Sequence, residues 1–269
     1  MLKGKTALVT GSTGGIGEAF ARAFAAQGCK VMMNGFGEPA AIEKLRAGIA
    51  KEHGTEVDHH GADVGVPSEI EALIRETERR FGQVDILVNN AVIRHYDQIE
   101  DFPPDKWDRA IAVGLSAAFH TIRLTMRGMK ARRWGRIINM SSIHGRMAVP
   151  NRVDYVTAKH ALIGMTRCVA LECAQSGVTV NALMPGWVLT PHAEYQVTRL
   201  MEESKITREQ AIGQLVQARQ PSQKPIMPAD IAGFGVFLCS EAGAHINGAA
   251  LPIDGAWQAG QVILSGNKN

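Results

Sequence analysis

The sequence GSTGGIG at residues 11–17 follows a short apolar segment, residues 6–10, and precedes a segment rich in alanine and phenylalanine. A strand, a glycine turn and a helix in this order are the context in which a dinucleotide phosphate is bound. Gly11 permits the tight turn, Gly15 lets the backbone approach a pyrophosphate, and Gly17 lets helix and strand pack closely. The start of the helix offers N–H groups to the phosphate. This stretch predicts dinucleotide binding; the alternative is a glycine-rich loop of no chemical meaning.

Apolar segments of strand length alternate with helical segments along the rest of the chain. Strands are predicted at residues 6–10, 29–33, 59–64, 84–88, 135–142, 178–183 and 249–253, and helices at 18–27, 41–51, 68–81, 107–132, 229–239 and around Tyr155, ending near residue 176. The alternation predicts an α/β fold, a Rossmann-type doubly wound parallel sheet of about seven strands with helices on both faces. Residues 1–269 are expected to form a single dinucleotide-binding and catalytic domain.

Three segments carry further expectations. Residues 191–224 are polar and helical, which suits a lid over a site. Ser68 is the expected N-cap of helix 68–81, with Pro67 before it. The end of helix 107–132 is strongly basic, and we interpret it as facing solvent or another subunit rather than as a phosphate or nucleic-acid patch.

Composition narrows the function classes. The 269 residues include 29 basic and 26 acidic side chains, a net charge of +3 that gives no reason to expect nucleic acid or an anionic membrane as partner. The four cysteines form no Cys-x-x-Cys pair, and no histidine stands at metal-ligand spacing, so we expect no metal and reduced thiols in a cytoplasmic protein. No secretory signal and no apolar run of about 18 residues is expected.

Polar residues follow several predicted strands. Asp63, Asn90 and Ser142 fall at strand ends, where ligands bind in open parallel sheets. Asp63 is placed to reach an adenine amino group; the alternative is an acid flanking a helix. The end of the second strand, residues 34–37, carries neither a carboxylate for ribose hydroxyls nor a cation for a 2′-phosphate, and the absence of a cation favours NAD over NADP.

Tyr155 and Lys159 stand four residues apart, one turn apart on the same face of a helix. A phenol titrates near pH 10, and a neighbouring ammonium lowers that pKa by stabilising the phenolate. The hydroxyl of Ser142 can donate a hydrogen bond to a substrate oxygen. The three side chains predict a proton-transfer site for an alcohol or ketone; the alternative is an ordinary tyrosine beside a surface lysine.

In order and spacing, the glycine turn, residues 89–91, Ser142, Tyr155, Lys159 and residues 185–186 resemble the short-chain dehydrogenase/reductase family over essentially the whole chain. Within that family the chain is most similar to bacterial D-3-hydroxybutyrate dehydrogenases, in the stretches 34–37, 99–103, 143–145, 185–191 and 217–221. The resemblance implies NAD-dependent interconversion of a small 3-hydroxy acid and its 3-keto acid. The pair that it favours is (R)-3-hydroxybutyrate and acetoacetate. It also implies a homotetramer built through the long helix, the Tyr155 helix and the C-terminal strand, with Trp257 and residues 262–264 in a buried tail.

The resemblance also assigns residues to sites. It makes Tyr155 the general acid/base, with Lys159 lowering its pKa and Ser142 positioning the substrate oxygen. The cofactor site it implies comprises Gly11, Thr13, Gly15, Ile16, Gly17, Phe36, Asp63, Val64, Asn90, Tyr155, Lys159, Pro185, Gly186, Val188 and Thr190. The substrate site it implies comprises Arg94, Ser142, His144, Arg152, Tyr155, Trp187 and Gln196.

Four positions depart from the family pattern. Gly114 replaces an asparagine that anchors a water next to the lysine, and Val92 replaces a glycine, where a positive φ would strain a β-branched residue. Arg94 and Arg152 stand where glutamine and lysine are usual, and two arginines would favour a longer, bulkier or more acidic substrate. Three readings follow: a 3-hydroxybutyrate dehydrogenase, a dehydrogenase of another hydroxy or keto substrate, or a degenerate member that binds NAD without turnover. For Arg94 the alternative is a side chain in solvent.

Overall fold

Seven parallel strands form one sheet in the computed structural model, which describes residues 2–260. The strands are β1 (Thr6–Val9), β2 (Lys30–Asn34), β3 (Val57–His60), β4 (Ile86–Asn89), β5 (Gly135–Met140), β6 (Val178–Pro185) and β7 (Ala250–Ile253). Their spatial order is β3-β2-β1-β4-β5-β6-β7, with every neighbouring pair parallel. The chain therefore has the predicted α/β architecture, and the order reverses between β1 and β4, where such sheets bind ligands.

Helices connect the strands and cover both faces of the sheet. They are α1 (Gly15–Ala26), α2 (Pro39–His53), α3 (Pro67–Phe81), α4 (Pro104–Ile111), α5 (Ala117–Ala131), α6 (Val153–Cys173), α7 (Pro191–Ser204), α8 (Arg208–Gln217) and α9 (Pro228–Cys239). A π-helical turn, Ala112–Ser116, joins α4 to α5, and a 3₁₀ turn, Ile143–Gly145, follows β5. Within residues 2–260, none of the helices combines the length and the apolar character that crossing a membrane requires.

Two apolar layers hold the helices to the sheet. On one face, Phe20 and Phe24 of α1 pack with Ile231 of α9 against buried side chains of β1 and β4. On the other face, Leu73 of α3 and Ile122 of α5 pack against the same strands. The central strands β1, β4 and β5 are buried throughout, which explains their largely apolar sequences. Each buried phenylalanine contributes about 1.5–3 kcal/mol to folding.

Several boundaries differ from the sequence expectations. β3 ends at His60 rather than at residue 64, because the Asn34 amide donates to the carbonyls of His60 and Ala62 and draws that segment out of the sheet. The prediction that Ser68 caps α3 is wrong. The helix begins at Pro67, whose missing N–H is harmless at the first position, and Val66 provides no side-chain cap. Residues 262–264 of the predicted tail lie outside the described residues.

The long helix also differs from its prediction. It begins at Pro104 rather than at residue 107, and it is not continuous, because the π-helical turn around Gly114 interrupts it. A buried glycine inside a helix weakens the local helical preference, and π-turns are frequent at functional sites. The interruption lies beside α6, on the side of Lys159.

Gly235 tests the packing of α9 on α1. A Cβ at this position would lie 2.3 Å from a ring carbon of Phe20 and 3.3 Å from Ile138. Because Phe20 is fully buried and cannot move aside, Gly235→Ala should lower the free energy of unfolding by about 1–3 kcal/mol in denaturant titrations. Gly233 lies on the exposed side of the same helix, with open space around its Cβ. Gly233→Ala should therefore stabilise by up to about 1 kcal/mol. Equal effects of the two changes would contradict this packing.

Candidate active site

Tyr155 and Lys159 lie together beneath the carboxyl end of the sheet. Both are on α6, one turn apart, and only 8% of Tyr155 and 3% of Lys159 is exposed. The Lys159 Nζ lies 5.4 Å from the centroid of the phenol ring and donates a 2.5 Å hydrogen bond to the carbonyl of Met140, the last residue of β5. The hydroxyl of Ser141 donates to the Lys159 carbonyl at 2.8 Å. The end of β5 therefore fixes both the backbone and the amine of Lys159.

Surrounding cations lower the pKa of Tyr155. Burial by itself raises that pKa, but Lys159, then Arg94, the Ser142 hydroxyl and Arg152 outweigh burial by stabilising the phenolate. Burial lowers the pKa of Lys159 to about 8, Tyr155 opposes this shift, and the two arginines add to it. The pair can therefore exchange a proton closer to neutral pH than an isolated tyrosine could.

A cavity of about 300 Å³ opens beside the pair. The predicted site residues that line it are Ile16, Asn90, Arg94, Ser142, His144, Arg152, Tyr155, Lys159, Pro185, Gly186, Trp187, Val188, Thr190 and Gln196. The other predicted cofactor residues, Gly11, Thr13, Gly15, Gly17, Phe36, Asp63 and Val64, lie outside this cavity, in the glycine turn and beyond β2 and β3. The predicted residues thus fall into two groups. One lines the cavity beside Tyr155, called the reaction cavity below, and the other lies in the glycine turn and in the segments after β2 and β3.

Arg94 and Arg152 both reach into the reaction cavity. The Arg152 guanidinium lies 4.2 Å, and that of Arg94 5.3 Å, from the centroid of the Tyr155 ring, so the alternative of Arg94 in solvent is wrong. Asp154 explains the convergence. Its buried carboxylate accepts hydrogen bonds from the backbone N–H of Tyr155 at 2.6 Å and of His95 at 3.2 Å. It thereby ties the loop that carries Arg94 to the first turn of α6.

Aromatic and amide groups form the far wall of the cavity. The Trp187 indole donates to the Gln196 side-chain oxygen at 3.0 Å, and its backbone N–H donates to Gln220 at 2.8 Å. His144 lies edge-on to both Tyr155 and Trp257. Burial, and then Arg152, lower the pKa of His144, which keeps its imidazole neutral at pH 7.

Sequence reasoning missed several residues of this cavity. The cavity is also lined by Tyr96, Val149, His192, Ala193 and Arg219. Asp154 lies outside the lining and holds the loop that carries Arg94 through the His95 N–H. Tyr96 and His192 stand in loop or helix-start segments whose side-chain direction no local pattern indicates. Asp154 stands in the first turn of α6, where an acid is ordinary, so its sequence position did not indicate this role.

The glycine turn forms a cradle at the start of α1. Gly11 and Gly15 have positive φ, and a Cβ at Gly17 would lie 2.1 Å from the Gly11 carbonyl oxygen. The Asn90 amide donates to the carbonyls of Thr10 and Gly11 at 3.0 and 2.9 Å. No side chain caps α1, so its first N–H groups are available to a phosphate. The cradle fits a dinucleotide.

The segments that follow β2 and β3, where the sequence predicts the adenosine, carry two ion pairs. The Asp63 carboxylate is engaged by Arg109 at 2.7 Å and by the Gly65 N–H. Burial alone raises the pKa of Asp63, but the Arg109 hydrogen bond and the other partners outweigh it and lower the pKa. Beyond β2, Arg46 is paired with Glu43 at 2.6 Å.

Val92 and Gly114, which depart from the family pattern, have different effects on the structure. Val92 lines the reaction cavity, and its φ is not positive, so the strain expected for a β-branched residue is absent there. Gly114 borders a small cavity of about 10 Å³ that it shares with Thr10, Asn89 and Lys159. No side-chain amide from position 114 reaches the lysine, because glycine has none.

Comparisons with known proteins agree with this architecture. A family model described as enoyl-(acyl carrier protein) reductase matches residues 11–257. The D-beta-hydroxybutyrate dehydrogenases of Cupriavidus necator and Rhizobium meliloti are 49% and 46% identical over 96% and 95% of this chain, and 100% and 99% of their own lengths. The structure of L-sorbose reductase from Gluconobacter frateurii, complexed with NADPH and L-sorbose, matches with a TM-score of 0.91 at 28% identity, covering 96% of this chain and 98% of that one.

The fold and these matches define an oxidoreductase that uses a nicotinamide cofactor. The chain belongs to the short-chain dehydrogenase/reductase family.

Asn90 tests the cradle. Asn90→Ala removes both donors to the turn, so we expect the free energy of unfolding to fall by about 1–3 kcal/mol and NADH to bind more weakly. Chemical denaturation and NADH fluorescence titration measure the two effects. Gln27→Ala, at the opposite end of α1, is the matched control and should change neither. Wild-type stability and NADH affinity in Asn90→Ala would show that the amide does not hold the turn.

Proposed function

We propose that the protein is an NAD-dependent dehydrogenase that interconverts a small 3-hydroxy acid and its 3-keto acid, with (R)-3-hydroxybutyrate and acetoacetate as the first pair. The observation that carries this proposal is the buried Tyr155–Lys159 pair in a cavity where two arginines lie beside the phenol. A proton acceptor and a carboxylate-binding group next to each other suit a hydroxy acid. Two relatives of nearly equal length are named D-beta-hydroxybutyrate dehydrogenases, which supports this substrate.

In this proposal each side chain acts at a stated atom. The Tyr155 oxygen, as phenolate, takes the proton of the substrate hydroxyl, and it returns a proton in the reverse direction. The Ser142 hydroxyl donates a hydrogen bond to the same substrate oxygen. Arg152 binds the substrate carboxylate, aided by His144 and Gln196. Arg94 adds a second positive charge to the substrate space, and Trp187 provides the apolar wall. A bound nicotinamide supplies the hydride acceptor for the substrate carbon.

The cofactor is held by the cradle and the strand ends. The turn residues Gly11, Thr13, Gly15, Ile16 and Gly17 would receive the pyrophosphate, and the residues near the nicotinamide would be Asn90, Tyr155, Lys159, Pro185, Gly186, Val188 and Thr190. Phe36, Asp63 and Val64 would flank the adenosine. The uncharged stretch 35–37 and the paired Arg46 support NAD over NADP.

Assembly, lid and location belong to the same proposal. We propose that residues 1–269 work as a single catalytic domain and that residues 191–224 form its lid. Within the proposed lid, α7 and α8 pack on each other around Val197 and Ala211. A homotetramer is supported by the apolar groove between α5 and α6, which the exposed Phe119 lines together with Ile122 and Val169. The cytoplasmic location stays a prediction.

Tyr155→Phe tests the function. Because the variant lacks the proton acceptor, kcat for (R)-3-hydroxybutyrate with NAD should fall about 10²- to 10⁴-fold, while NADH binding persists. In the wild type the oxidation rate should rise with pH through a limb below pH 10, because a lowered tyrosine pKa populates the phenolate at lower pH.

Tyr195→Phe is the control, since this tyrosine is exposed and lies outside the cavity. It should keep the wild-type rate. Tight NADH binding with no turnover of any hydroxy acid would instead support the degenerate cofactor-binding member that Gly114 suggests. Turnover that survives in Tyr155→Phe would contradict the assigned role of the phenol.

A further inference from the structure

The reaction cavity carries more positive charge than a monocarboxylate can neutralise. Its lining includes Arg94, Arg152, Arg219 and Lys159, but no aspartate or glutamate. The Lys159 amine donates a hydrogen bond to the Met140 carbonyl, and the Tyr155 phenol stabilises its charge. The Arg219 guanidinium is held by the Leu215 carbonyl at 2.8 Å. Arg94 and Arg152 are the two cations whose guanidiniums lie beside the Tyr155 ring, at 5.3 and 4.2 Å from its centroid.

Neither arginine has a carboxylate partner within residues 2–260. Elsewhere in the chain, guanidiniums pair with acids, as Arg109 does with Asp63 at 2.7 Å and Arg199 with Glu203 at 2.6 Å. No aspartate or glutamate of the described chain lies within 4.0 Å of Arg94 or Arg152. The Arg152 Nε is buried and makes no hydrogen bond. Both arginines are partly buried in the cavity wall, and an anionic ligand is the group that can pair with their guanidiniums.

The two arginines also repel the other cationic groups of the cavity. Burial, followed by Arg94 and Arg152, lowers the pKa of His192, and both arginines contribute to the lowered pKa of Lys159. A bound carboxylate can neutralise one guanidinium through a bidentate pair. A ligand with a single carboxylate leaves the second guanidinium without a counterion, whereas a ligand with two carboxylates neutralises both.

We propose that the cavity holds two anionic groups at once, and that the protein also oxidises 3-hydroxy dicarboxylic acids. Arg152, the nearer guanidinium to the Tyr155 ring, binds the carboxylate that these acids share with 3-hydroxybutyrate. Arg94, on the loop that Asp154 ties to α6, binds the second carboxylate. The inference rests on the proposed function: the secondary alcohol loses its carbinol hydride to NAD and its hydroxyl proton to Tyr155, and becomes the ketone.

Steady-state kinetics with two substrates at saturating NAD tests the activity. We would use (R)-3-hydroxybutyrate and 3-hydroxyglutarate, which is achiral and replaces the methyl group by a carboxymethyl group. The wild type should turn over both. Arg94→Gln should lower kcat/KM for 3-hydroxyglutarate about 10- to 100-fold more than for 3-hydroxybutyrate, because only the dicarboxylate loses a charge-assisted contact. Arg75→Gln removes the same charge from the exposed face of α3 and should change neither value.

A binding measurement provides a second readout that does not depend on turnover. Calorimetric titration of the enzyme–NADH complex with glutarate and with butyrate should show glutarate binding at least about 10-fold more tightly in the wild type. The difference should disappear in Arg94→Gln and persist in Arg75→Gln.

The outcomes separate the two proposals. Turnover of 3-hydroxybutyrate without turnover of 3-hydroxyglutarate overturns this inference and leaves the proposed function intact. Equal losses for both substrates in Arg94→Gln also overturn it, since Arg94 would then bind the shared carboxylate. No turnover of either acid by the wild type means that the proposed function itself has failed.

Discussion

The buried contact between the Lys159 amine and the end of β5 is the interaction on which the site depends. An amine that is 3% exposed is costly to keep charged, and the Met140 carbonyl and the adjacent phenol are the groups that offset this cost. Because Met140 is the last residue of a central strand, the amine is positioned by the sheet itself. The Tyr155 phenol lies one turn earlier on the same helix, so the contact between Lys159 and β5 positions the phenol as well. The chemistry therefore sits at the carboxyl edge of the sheet, beside the cradle that receives the cofactor.

The arginines connect proton transfer to substrate binding. Arg94 and Arg152 lower the pKa of Tyr155 and also that of Lys159, so the same charges that favour the phenolate disfavour the ammonium. An anionic ligand at the guanidiniums offsets both effects and leaves Lys159 as the dominant cation beside the phenol. Carboxylate binding is thereby coupled to the protonation state of the reacting pair. Asp154 joins the Arg94 loop to α6, and so it holds the Arg94 guanidinium close to the reacting pair.

Local pattern predicted much of this arrangement. The glycine turn, the seven strands and the Tyr155–Lys159 spacing depend on short-range geometry, and the structure places them as expected. Features that depend on tertiary contacts could not be predicted. Local pattern did not indicate that Arg109 would pair with Asp63, or that the long helix would open into a π-turn at Gly114. Arg94 was expected in the substrate site only through the family resemblance, and no local pattern indicated its inward direction. The end of β3 was missed for the same reason, because a distant side chain, Asn34, determines it.

The central claim is that buried cations keep the Tyr155 phenol easier to ionise than an exposed tyrosine. The chain has three tyrosines, and Tyr195 is exposed and lies outside the reaction cavity, so it serves as the internal reference. NMR titration of protein labelled with ¹³C at the tyrosine ζ carbons resolves all three, with Tyr155→Phe assigning the buried signal. The account predicts that Tyr155 titrates below pH 10 and below the exposed reference. A Tyr155 signal that titrates at or above the reference would contradict it.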